Sequence, residues 1–156
     1  MTHSEPLLIE NNGAEGTTGP SNSTVAGQRC FEWSSGMDIQ HKMINPGVPP
    51  SGTGCVECEA NRTWWLHLRR CAACGHVGCC DDSLNRHATK HSIESGHEVI
   101  QSFEPDEEWF WDYRTSDYVE GPELADPQSH PADQSVPGPP GLVPKDWVTQ
   151  LSANRL

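Results

Sequence analysis

Apolar and polar positions alternate at strand period in three stretches of this chain. Trp64-Trp65-Leu66-His67-Leu68 predicts a short aromatic strand and Val99-Ile100-Gln101-Ser102-Phe103 a second. Trp109 to Arg114 predicts a third, with Trp109, Trp111 and Tyr113 on one face. Glu104 to Glu108 is the turn between the last two. Between the first and second strands, a helix is expected from about Leu84 to Glu94, capped by Asp82-Ser83 and closed by Gly96. On that helix His87 and His91 share a face. The flanks lack period. Residues 1–28 are rich in Gly, Ser, Thr and Asn and predict a disordered arm. Residues 29–54 read as a Pro/Gly-rich lead-in, in which Cys30, Phe31 and Trp33 could tuck against a domain. The domain itself is expected over 55–118. Residues 119–156 predict an acidic, Pro-rich linker tail. Within the tail, residues 144–151 could form one or two helical turns, and a frayed terminus is the expectation.

Composition narrows this to a small folded unit. Only 34% of the chain is hydrophobic, with 14 Gly and 13 Pro among 156 residues. Mean hydropathy is -0.65. Such a chain cannot bury a large core along its whole length. Ten Lys and Arg against 22 Asp and Glu, a formal charge of -12, argue against phosphate-driven nucleic-acid binding and against anionic membranes. The start of the chain carries no secretory pattern and no segment has the length of a membrane span. A cytoplasmic location is expected, where thiols stay reduced and cysteines serve better as metal ligands than as disulfides.

The chemistry is concentrated between Cys55 and His97, which enclose six cysteines and five histidines. Cys55-x2-Cys58 is followed by Cys71-x2-Cys74, Cys79-Cys80, His87-x3-His91 and His97. A CxxC puts two sulfurs on one tight turn, and two histidines four apart point the same way. The spacing therefore predicts two closed four-ligand zinc sites, which build structure rather than perform chemistry. A non-catalytic protein is expected. One CxxC with the His87/His91 pair makes one plausible site. Cys55 and Cys58 could then take Cys79 and a further histidine.

Rival patterns fit less well. Cys71-x2-Cys74-x12-His87-x3-His91 has the spacing of a DNA-binding Cys2His2 finger. But Gly78 stands where that finger wants an aromatic, and Asp81 and Asp82 would repel phosphate. A redox dithiol would not need histidines at ligand spacing. His87-Ala-Thr-Lys-His91 lacks the Glu of a metalloprotease helix, and the deaminase pattern is absent. His67 and His76 are expected to be supporting or surface groups, Cys80 a small buried residue that could replace Cys79, and Cys30 a free thiol. His3, His41 and His130 carry no signal.

At these residues the chain resembles the UBP-type zinc finger of ubiquitin-specific proteases and cytosolic deacetylases, above all its stand-alone bacterial versions. The matching run is Cys55-Val-Glu-Cys58, Trp65-Leu-His-Leu-Arg69, Cys71-Ala-Ala-Cys74-Gly-His-Val-Gly-Cys79-Cys80-Asp81, Asn85-Arg-His87-Ala-Thr-Lys-His91 and Ser95-Gly-His97-Glu-Val-Ile100. It ends at Ser102-Phe-Glu-Pro105 with Trp109 and Trp111. The resemblance implies an α+β fold, a twisted antiparallel sheet packed with one or two helices. It implies two zinc ions, one on Cys55, Cys58, Cys79 and His87 and the other on Cys71, Cys74, His91 and His97. A third zinc is not expected, because Cys30 is followed by Phe31-Glu32. Ubiquitin-binding members grip a C-terminal Gly-Gly carboxylate in an aromatic pocket with the help of an Arg. The implied pocket residues here are Trp65, Asp81, Trp109, Trp111 and Tyr113, and a protein or peptide C-terminus is the implied partner. Asp81 stands in the place of that Arg and would repel a carboxylate, which counts against ubiquitin. The aromatics equally suit a small core, so a structural or zinc-responsive protein without a peptide pocket is the alternative, and a nucleic-acid finger the third reading.

Overall fold

The computed structural model describes residues 44–154. The expectations for the N-terminal arm and for Cys30, Phe31 and Trp33 lie outside the described residues. Five strands form one antiparallel sheet in the order β2-β1-β3-β4-β5. They are β1 (Leu68–Cys71), β2 (Val77–Cys79), β3 (Val99–Ser102), β4 (Phe110–Asp112) and β5 (Asp117–Val119). Among the described residues three short helices accompany them: α1 (Val56–Asn61), α2 (His87–Ser95) and α3 (Trp147–Ala153). The class is α+β. Among the described residues no helix is long and apolar enough to cross a membrane.

Register sorts the strand residues onto two faces. Arg69 pairs with Ser102, Ile100 with Trp111, and Trp111 with Tyr118, so these stand on one face. Arg70, Gln101, Phe110 and Val119 follow one another across the other. Helix α2 packs against the β1–β2 end of the sheet. Gly78 permits the approach: a Cβ there would lie 2.6 Å from the Ala88 nitrogen. Two clusters of buried side chains form the core. One gathers Trp65, Leu68, Val77 and Phe103 around Cys55, Cys58 and Cys79. The other gathers Ile44, Ala72, Val99, Phe110 and Leu124.

Several local readings shift in the folded chain. The helix expected from Leu84 begins at His87. Ser83 is buried, and its Oγ accepts the Leu66 N–H at 3.0 Å instead of capping the helix. Arg86, in the left-handed region at φ 52°, delays the helix start. Gly96 ends the helix as the sequence predicts, at φ 72° with its N–H on Ser92 O. The strand expected over 64–68 starts only at Leu68, and Trp65 instead bridges Gly138. The segment from Cys71 to Val77 closes the β1–β2 hairpin.

The segment read as a linker tail runs back over the domain. Leu124, His130 and Leu151 are buried. The Arg70 guanidinium, on a fully buried residue, donates to Ala125 O at 2.8 Å and to Val48 O. Trp65 and Gly138 exchange two backbone hydrogen bonds, 2.7 and 3.0 Å long. Trp147 of α3 meets Trp64 edge-to-face, ring centroids 6.5 Å apart. Period-based reading misses such a segment because its order comes from remote partners, not from its own pattern.

Candidate metal centres and an aromatic cleft

Centre 1 is assembled from three elements. Cys55 caps α1, Cys58 lies one turn into it, Cys79 ends β2, and His87 opens α2. The His87 Nδ1 lies 3.2, 3.3 and 3.4 Å from the Sγ atoms of Cys55, Cys58 and Cys79. The Cys58 and Cys79 sulfurs are 3.9 Å apart. A tetrahedral zinc with sulfur at ~2.3 Å and nitrogen at ~2.0 Å spaces its ligands by roughly 3.5–3.8 Å, so the donor set fits that ion. All three cysteines are fully buried. The His87 N–H, at the positive end of α2, points to Cys79 Sγ at 3.3 Å, and Asn85 Nδ2 to Cys58 Sγ at 3.8 Å.

The electrostatics of centre 1 favour a cation. Hydrogen bonds from Cys55 and then Cys79 hold the Cys58 thiol down at about 2. The same contacts, led by Cys58, push Cys55 up. Three sulfurs this close cannot all ionise alone, and a divalent ion removes the conflict.

Centre 2 uses the other CxxC. Cys71 ends β1, Cys74 sits in the hairpin turn, His91 faces them from α2 and His97 follows that helix. Cys74 Sγ and His91 Nε2 are 3.3 Å apart. The His97 Nδ1 is buried with no hydrogen-bond partner, a costly state that a metal ion would relieve. Burial pushes the Cys71 thiol up to about 11. Burial, then the nearby His76 and His97, push His91 down, towards the neutral form a ligand needs. His76 stacks on His91 with centroids 4.1 Å apart, and its Nε2 meets Glu57 Oε1 at 2.7 Å. It orients a donor rather than being one. Centre 2 is the more open, with Cys74 exposed.

In each centre the four donor atoms lie within 4.8 Å of one another, so each could hold a metal ion. Spacing alone left the partners of each CxxC open. The fold brings Cys79 and His87 to Cys55 and Cys58, and His91 and His97 to Cys71 and Cys74. Cys80 stays outside both, its Sγ 3.4 Å from Ser83 Oγ.

The five residues expected around a peptide pocket divide. Asp81, Trp109, Trp111 and Tyr113 line one cleft of about 350 Å³ on the sheet face beside α2, together with Arg69 and Tyr118. Trp65 lies elsewhere, 2% exposed in the core around centre 1. Tyr118 stands edge-to-face to both Trp109 and Trp111. The Arg69 guanidinium lies 4.7 Å from the centre of the Trp109 ring. Burial pushes the Tyr113 phenol up to about 12. Asp81 accepts the Thr89 hydroxyl. Sequence reading passed over Tyr118. It lies in a strand of three residues, too short for a period to stand out. Arg114 is turned to Glu98 at 3.0 Å and Asp112 at 3.4 Å.

The family profile zf-UBP, described as a zinc finger in ubiquitin hydrolases and other proteins, matches residues 55–124. No curated protein matches the chain. A solution NMR structure of protein RPA1320 from Rhodopseudomonas palustris is similar at 42% identity over 58% of this chain and 85% of that one, with a TM-score of 0.47.

Proposed function

The chain belongs, through residues 55–124, to the zf-UBP family of zinc fingers, and on that premise we propose that it is a two-zinc, non-catalytic protein-interaction module. Cys55, Cys58, Cys79 and His87 hold one ion, and Cys71, Cys74, His91 and His97 the other. Four protein donors fill a tetrahedral zinc and leave no position for water or substrate. The ions serve the fold. The first ties α1, β2 and the start of α2 together, and the second ties the β1–β2 hairpin to the end of α2. Structural zinc contributes on the order of 10 kcal/mol per site in small zinc peptides. The reduced thiols this requires suit a cytoplasmic location.

The observation that carries the zinc reading is the convergence of two four-donor sets, each within 4.8 Å. The interaction role rests on the aromatic cleft, which is open to solvent at Tyr118, 65% exposed. A ubiquitin-type C-terminus is a poor occupant, because Asp81 stands at the rim. Metal analysis of the purified chain tests the first part: two zinc ions per chain are expected, and one fewer in His97→Ala. A chain that carries no zinc, or keeps two in that variant, would sink it.

A further inference from the structure

We propose that the cleft takes a basic side chain, lysine or arginine, of a partner protein rather than a terminal carboxylate. This rests on reading the cleft as a docking site. The ring planes of Trp109 and Trp111 stand at 88° and 82° to Tyr118, so the three make adjoining walls at near right angles. Aromatic faces carry negative potential and attract cations. One cation already uses this property, since the Arg69 guanidinium lies over Trp109.

Arg69 is also committed elsewhere. Its Nη1 donates to Leu68 O at 2.7 Å and to Ser102 Oγ at 3.3 Å. The Ser102 hydroxyl donates in turn to Glu107 Oε2 at 2.5 Å, which also accepts the Trp109 Nε1–H at 3.0 Å. Arg69 is thus tied through the Ser102 hydroxyl to the Glu107 carboxylate. Asp81, in the cleft lining, is exposed and anchored by the Thr89 hydroxyl. An incoming carboxylate meets like charge there. An ammonium or guanidinium meets opposite charge and ring faces together. The net charge of -12 draws basic partners from a distance, and about 350 Å³ suits one side chain rather than a bulky ligand.

The test is a titration of the full, zinc-loaded chain watched at its tryptophan indole NMR signals. Three probes are used: a Gly/Ser peptide with blocked ends and a central Lys-Arg, its Gln-Gln twin, and a peptide ending in a free Gly-Gly carboxylate. The basic peptide alone should move the Trp109 and Trp111 signals, less so at higher salt. Asp81→Asn should weaken it about fivefold, and Asp81→Arg should abolish it, with zinc content and thermal transition unchanged in both. A response to the free carboxylate alone overturns the choice of a cation and leaves the docking site standing. Silence with all three probes overturns the docking site as well. A basic-peptide response indifferent to Asp81 and to salt also overturns the proposal.

Discussion

From Cys55 to His97 the fold brings together the eight donors of two candidate metal centres; from Gly121 to Asn154 the chain packs onto the sheet through scattered hydrogen bonds and a few buried apolar side chains such as Leu124 and Leu151. The first region has helices of six and nine residues, too short to stand alone in water. Its donor sets join residues as far apart as Cys55 and His87. The second region joins the described structure through the Arg70 guanidinium, the Trp65–Gly138 bridge and His130. Glu104 Oε2 lies 3.0 Å from His130 Nε2, and Pro131 O 2.9 Å from its Nδ1. A Gly138 Cβ would lie 3.1 Å from the Trp65 ring nitrogen, so the chain passes the indole closely. A small domain can therefore be stabilised by a few metal bonds and extended by buried hydrogen bonds. The two devices fail under different conditions.

The largest effect should come from Cys58→Ser. It opens the buried centre 1, and the cooperative thermal transition should disappear. A variant that keeps a sharp transition would mean that metal does not hold the first region.

Next, a chromophoric chelator should withdraw zinc in two phases. Centre 2 should empty first, having two thiolates rather than three and an exposed Cys74. Cys74→Ser should remove the fast phase alone, and a single phase in the parent chain would erase the distinction between the centres.

Arg70→Met probes the second region. It strips the half-buried Ala125 and Val48 carbonyls of their donor and should cost about 2–4 kcal/mol in urea unfolding. Two zinc ions should remain bound, and loss of metal in this variant would show that the regions are not separable.

Smallest and most conditional is the effect of Glu104→Gln. Burial pushes the Glu104 carboxyl up, but hydrogen bonds from His67, His130 and the Leu68 N–H outweigh it and hold it at about 2, against an ordinary 4.5. The folded value lies below the unfolded one. The stabilisation is therefore fully present above about pH 4.5 and is lost as pH falls through about 2. The parent should exceed Glu104→Gln by at most about 3 kcal/mol near neutrality. That gap should close as the two are compared at successively lower matched pH, and a constant gap would remove the charge from the explanation.

Local chemistry was legible and remote partnership was not. CxxC, the Gly96 helix end and the alternation of Trp109 with Trp111 each lie within a few residues, so their geometry follows from the period of one element; His87 and His91, expected from spacing to serve one site, go to different centres. Helix α1 escaped notice because its six residues, Val56–Asn61, alternate apolar with polar and carry no helical stripe. The Asp82-Ser83 cap was misread because Ser83 has two possible uses, and burial against Leu66 decided between them.

By itself the sequence determined a small α+β unit with two sets of metal donors, since ligand types and short spacings are properties of adjacent residues. Spacing left open which donors meet, the family resemblance implied the two sets that the fold assembles, and only the tertiary structure decided that Trp65 serves the core and Tyr118 the cleft and that residues beyond Val119 pack onto the sheet. Those outcomes depend on atoms brought together across tens of residues, such as Arg70 with Ala125 or Trp65 with Gly138. No pattern within either segment encodes the contact.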